Sequence, residues 1–170
     1  IGTEDTVVIL DVPTSGSVAE LRKQGFLEHL AELAPDMETI EYATEFTREA
    51  GLADMADILT ANSHIDAVFS MDDETSIGAL QAIRDAGRTD IQVITGGGGA
   101  QEWFNMMLDD ANQDIWLQSA TYSPIMVQDA VDMALDILQG NTPEESVMII
   151  PTTIIDRTNA GEYLDESAPY

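Results

Sequence analysis

Ala67-Val68-Phe69-Ser70-Met71-Asp72-Asp73-Glu74 is the stretch whose reading decides the fold. Five residues dominated by apolar side chains read as a short strand buried on both faces. An acid then stands where a helix needs an N-cap, and either Asp72 or Asp73 can supply it. The helix runs through Ala86 and stops at Gly87. A strand feeding directly into a helix requires a crossover to the next strand, which makes the neighbouring strand parallel. The same unit recurs on both sides. Upstream, residues 7–12 (VVILDV) end at Pro13-Thr14-Ser15-Gly16, and Ser17 with Glu20 has capping-box spacing for a helix that lasts to Pro35. Residues 37–42 read as a second strand and residues 46–61 as a second helix. Downstream, residues 91–95 form a fourth strand that runs into Gly96-Gly97-Gly98-Gly99. A helix at about 100–108 and a strand near 115–121 follow. Pro124 opens an amphipathic helix to about 139, closed by Gly140, and a last extended run at 147–155 is broken by Pro151.

Strand and helix alternating through one chain predict an α/β domain with a doubly wound, mostly parallel sheet and helices on both faces. Ligands in such sheets bind beyond the carboxyl ends of the strands, at the switch in strand order. That rule directs attention to residues 13–22, 44–48, 71–74 and 95–100.

Composition narrows the function classes. The chain has 170 residues, 44% of them apolar, enough for one domain with its own core. No apolar run is long enough to span a bilayer. The absence of cysteine excludes disulfides, thiolate metal sites and cysteine catalysis. Thirty-two acids face six bases, a formal charge of −26, which repels phosphate backbones and argues against nucleic-acid binding. Two readings of that charge stand, adaptation to high salt and an ordinary acidic secreted protein. The acids are scattered and form no calcium loop, so neither a metal nor a cofactor is implied. The glycine run lacks the G-K-[ST] of a phosphate-binding loop, no G-x-S-x-G elbow occurs, and His29 and His64 have no nucleophile partner in sequence. No catalytic residue is expected, and Trp103 and Trp116 read as packing.

Three blocks then carry a family resemblance. Arg22-Lys23-Gln24-Gly25-Phe26 resembles the R-x-x-G-F signature of ribose-binding-type, type I periplasmic solute-binding proteins, a fold shared with LacI/GalR regulators. Phe46-Thr47-Arg48 is similar to their aromatic-x-Arg helix start. Residues 65–74 leading to Gly78-Ala79-Leu80-Gln81-Ala82 resemble their D-A-(V/I)-F-x-x-N-D-E…G-A-L-x-A block. The resemblance covers about residues 7–155. It implies that residues 1–170 are the single carboxy-terminal lobe of a two-lobed receptor that closes on a small sugar or polyol. It further implies that residues 122–150 pack on an amino-terminal lobe.

By the same resemblance the ligand-binding candidates are Arg22, Phe46, Asp72, Gly97 and Thr121. Arg22 offers a planar fork to vicinal hydroxyls, or neutralises neighbouring acids on a surface helix. Phe46 offers a ring face to sugar C–H groups, or fills the core ahead of a helix. Asp72 replaces the family's asparagine; it pairs with Arg22, selects a donor-rich ligand, or simply caps the helix. Gly97 stands where many relatives carry a ligand-binding aspartate, so the glycines form either a nest of N–H groups or a flexible loop. Thr121 matches a polar hinge-side position. The implied partners are a sugar-like ligand and the membrane permease of an ABC transporter, and the implied location is periplasmic or cell-surface. The helix at 124–139 would self-associate if its lobe were absent. The alternative from the same lobe is the effector domain of a LacI/GalR-type regulator.

Overall fold

Six strands form one sheet in the order β2-β1-β3-β4-β5-β6 in the computed structural model, which describes residues 2, 4–122, 126–141, 145, 147–165 and 167–168. The strands are β1 (Thr6–Asp11), β2 (Glu38–Ala43), β3 (Ala67–Ser70), β4 (Val93–Gly98), β5 (Trp116–Thr121) and β6 (Thr153–Asp156). The first five are parallel, and β6 returns antiparallel to β5 with Thr121 opposite Thr153. The helices are α1 (Ser17–Leu33), α2 (Arg48–Ala61), α3 (Asp73–Asp85), α4 (Gln101–Leu108) and α5 (Val127–Leu138). The doubly wound architecture expected from the alternation is the one found. Its order reverses at β1, which lies between β2 and β3, and a crevice therefore opens beyond the ends of β1 and β3.

Alternating strand residues face opposite layers. Val8, Leu10, Val68, Ile94 and Leu117 face α2, α3 and α4, whose Met55, Ile58, Ile83, Trp103 and Met107 are fully buried among them. On the other face Ile9 and Met71 meet Ala19 of α1, with Phe26 stacked on Phe69 at 4.0 Å between ring centroids. The α2–α3 pair crosses at two glycines. A Cβ on Gly78 would lie 2.6 Å from the backbone N of Leu52 and even closer to the carbonyl of Arg48.

Local details differ from expectation for identifiable reasons. Ser17 does not cap α1; residues Pro13–Ser15 form a 3₁₀ turn, Gly16 is the N-cap at φ +59°, and the Ser15 hydroxyl accepts the Ala19 N–H at 3.2 Å. The second helix starts at Arg48 rather than at 46, because the Thr47 hydroxyl accepts the Ala50 N–H at 3.1 Å. The glycine run is not a loop. Gly96, Gly97 and Gly98 continue β4 opposite Ser119, Ala120 and Thr121. Only residues 153–156 of the last extended run become a strand. Pro124, expected to open the fifth helix, lies outside the described residues. No residue of α5 is buried, and Leu138 is 83% exposed. Among the described residues no helix is long and apolar enough to cross a membrane, and no acid or histidine cluster is built to hold a metal.

Intrinsic propensity favours Ala over Gly in a helix by roughly 1 kcal/mol. At Gly78 the backbone collision outweighs that gain, since α2 and α3 must separate to admit a methyl group. Gly78→Ala is expected to destabilise the fold by roughly 1–3 kcal/mol in denaturant unfolding; an unchanged or raised midpoint would show that the helices give way freely.

Candidate functional site

The crevice at the carboxyl edge is spanned by one side chain. Arg22, on the first turns of α1, reaches across from the β1 side and donates from Nη1 to the carbonyl of Met71 after β3, at 2.6 Å. Its guanidinium lies over the ring of Tyr122, 5.2 Å from the centroid. The charge balance makes this arginine unusual. Of the six bases, Lys23 pairs with Asp11 and Glu41, Arg48 with Glu74 and Glu102, Arg84 with Asp114 and Arg88 with Asp90, while Arg157 donates to the Gln113 and Ile115 carbonyls and the Gln113 side chain instead of a carboxylate. Arg22 has no carboxylate partner among the described residues, in a chain carrying 32 acids. It therefore does not serve to neutralise neighbouring acids, and it does not pair with Asp72.

Asp72 caps α3. Its Oδ1 accepts the Thr75 N–H at 3.0 Å and its Oδ2 the Thr75 hydroxyl at 2.5 Å. Partial burial pushes its carboxyl above the usual range, against the pull of those two donors. Each oxygen retains acceptor capacity toward the cleft that Asp72 lines.

Asp73 does different work. Its buried carboxylate accepts the N–H groups of Gly99 at 2.7 Å and Ala100 at 2.8 Å, and the Ser119 hydroxyl at 2.8 and 3.0 Å. The nest of N–H groups foreseen at the glycines therefore exists, but its anion is internal and it is not open to a ligand. The glycines are demanded by this packing. A Cβ on Gly96 would overlap the Asp73 carboxylate, and one on Gly97 would lie 2.8 Å from the Met71 carbonyl. Gly98 and Gly99 sit at φ +129° and +105°, where L side chains are strained. Burial pushes the Asp73 carboxyl up, and the bonds from Ala100, Ser119 and Gly99 only partly offset this.

Four of the five sequence candidates converge. Arg22, Phe46, Asp72 and Gly97 line one cleft of about 210 Å³, together with Val18, Glu74 and Tyr122. Phe46 is 36% exposed there and is not a core residue. Thr121 is not in that lining. It lies in the β5–β6 ladder, donating to the Thr153 carbonyl at 3.1 Å. An adjoining hollow of about 250 Å³ shares Arg22, Gly97 and Tyr122 and continues past Ser70 and Ala120. Sequence reading missed Tyr122, although it directly follows β5 and so obeys the strand-end rule. Trp103 is buried, its indole N–H donating to the Gln118 carbonyl at 3.1 Å, and Trp116 lies under Arg157; both pack as expected. His29 and His64 face Glu32 and Asp66, away from the cleft lining.

Asp73→Ala would orphan three donors and is expected to destabilise the lobe by roughly 3 kcal/mol or more. Asp73→Asn tests the charge. A carboxyl raised above its unfolded value stabilises fully below that value, and its contribution fades as pH rises through the folded value. Wild-type stability relative to Asp73→Asn should therefore fall as pH rises through and above the ordinary carboxylate range in paired urea titrations. A difference that grows with pH would contradict this placement of the carboxylate.

The fold agrees with the comparisons to known proteins. The periplasmic binding protein domain family matches residues 1–142. The D-apiose import binding protein of Actinobacillus succinogenes is 30% identical over 150 residues, covering 86% of this chain and 46% of that protein. The galactofuranose-binding protein YtfQ of Escherichia coli is 29% identical over 172 residues, covering 97% and 52%. Among solved structures, the periplasmic binding component of the arabinose ABC transporter from Shewanella sp. ANA-3, bound to α- and β-L-arabinofuranose, superposes with a TM-score of 0.82. It is 27% identical, over 95% of this chain and 54% of that one. The chain thus spans about half the length of the relatives it matches. It belongs to the periplasmic binding protein domain family.

Proposed function

We propose that this chain is the carboxy-terminal lobe of an extracytoplasmic receptor that captures a small sugar or polyol for the membrane permease of an ABC transporter. The observation that carries the reading is Arg22: a guanidinium with no carboxylate partner among the described residues, held at the switch point of a parallel sheet beside Phe46 and Asp72. Its free donors suit vicinal hydroxyls, which accept in pairs. Phe46 offers a flat apolar face to sugar C–H groups, and Asp72 accepts from ligand hydroxyls. Gly97 adds no side chain, so the ligand lies close to the β4 backbone.

Half a cleft binds weakly, and the second half would come from an amino-terminal lobe. Helix α5 supports that arrangement. Val127, Val131, Leu135 and Leu138 are all exposed on it, and such a stripe is costly to leave in water. Residues 122–150 pack on the other lobe in this reading. Relatives named for D-apiose import, ribose import and galactofuranose binding favour a ligand of pentose or furanose size. The import function of those relatives supports the receptor over a LacI/GalR-type regulator, and their naming as binding proteins supports capture without chemical conversion.

Calorimetric titration of the full-length protein with D-ribose, L-arabinose, D-apiose and xylitol tests the reading. At least one is expected to bind. Loss of a charged hydrogen bond from a desolvated site costs roughly 2–5 kcal/mol. Arg22→Ala should therefore weaken binding at least roughly tenfold, while its thermal midpoint without ligand stays near that of the wild type. Equal affinities for wild type and variant would remove Arg22 from the site.

A further inference from the structure

We propose that Tyr122 is a positioning residue of the ligand cleft, and that its ring holds the Arg22 guanidinium in the plane from which it meets the ligand. The proposal rests on the reading of the cleft as a ligand site. Arg22 is a long side chain with five N–H donors, and the Met71 carbonyl accepts from Nη1 alone. One bond leaves the guanidinium free to swing about that contact. In the ion pairs of this chain carboxylates stop such motion, as when both Arg84 nitrogens Nη1 and Nη2 meet Asp114 at 2.7 Å. For Arg22 that restraint is supplied by the face of Tyr122, 5.2 Å away.

An aromatic face is the restraint that a binding arginine can use. A carboxylate would occupy the donor edge of the fork and neutralise it. A ring beneath the plane leaves the edge free and excludes water from one face, while its quadrupole attracts the charge. The position of Tyr122 suits this role. It lines both hollows that meet at Arg22, and it is 39% exposed, so it is not anchored as a core aromatic. Gly98 neighbours it: a Cβ there would lie in ordinary contact, 3.9 Å from the Tyr122 hydroxyl oxygen.

Two measurements test the assignment. In the chain labelled with ¹⁵N-arginine, the Arg22 side-chain signal, identified by its loss in Arg22→Lys, is expected to carry a ring-current shift. Tyr122→Phe should keep that shift and Tyr122→Leu should abolish it. In calorimetry of the full-length protein with D-ribose, Tyr122→Leu should weaken binding roughly threefold to thirtyfold. Tyr122→Phe should weaken it by no more than about twofold, and Tyr122→Leu should add nothing in an Arg22→Ala background. An Arg22 signal unmoved by Tyr122→Leu, or fully additive losses in the double variant, would overturn the proposal. If D-ribose fails to bind the wild type, ribose is excluded as the ligand, and the arginine spectra alone decide the role of Tyr122.

Discussion

A buried carboxylate organises the carboxyl edge of this sheet. Asp73 opens α3, and its two oxygens gather the N–H groups where β4 turns into α4 and the hydroxyl of Ser119 from β5. Four elements are thereby fixed to one another at the point where the cleft begins. An unpaired buried charge is expensive, and burial alone would favour the protonated form. Three directed donors within 3.0 Å make the charged form tolerable and leave little freedom in where those elements sit. The glycine run follows from the same constraint, since side chains at Gly96 or Gly97 would meet the carboxylate or the Met71 carbonyl.

With the backbone donors of the turn committed to Asp73, side chains are left to do the recognising in the proposed ligand cleft. That places weight on Arg22. In a chain of formal charge −26, a base without a carboxylate partner needs some other reason for its position. Here the Met71 carbonyl accepts from Arg22 and the Tyr122 ring lies against it, in a cleft that Phe46 and Asp72 also line. Stability is arranged elsewhere, in the α2–α3 contact through Gly51 and Gly78 and in the Arg88–Asp90 pair, which holds the Asp90 carboxyl well below the usual range.

The sheet was legible in the sequence because period and punctuation agree: short apolar runs such as 7–12 and 67–71 are each followed by a turn or cap and a helix. Arg22, Phe46, Asp72 and Gly97 were legible as candidates because the family resemblance implies them and each falls in a stretch that the strand-end rule singles out. Three things were not. Four glycines carry no period, so nothing local says that β5 will extend them as a strand. Adjacent acids at 72 and 73 look alike until burial assigns one to the cap and the other to the interior. Thr121 and Tyr122 point differently because antiparallel β6 claims Thr121, and a return strand broken by Pro151 does not announce its register.

Amide hydrogen exchange at Gly99 and Ala100 tests the central constraint most directly. These two N–H groups lie at the end of a glycine strip, outside regular ladder or helix bonds, and a loop there would exchange rapidly. Held by the buried Asp73 carboxylate, both amides are expected to exchange as slowly as those of β4 itself. Exchange at the rate of an open loop would contradict the account.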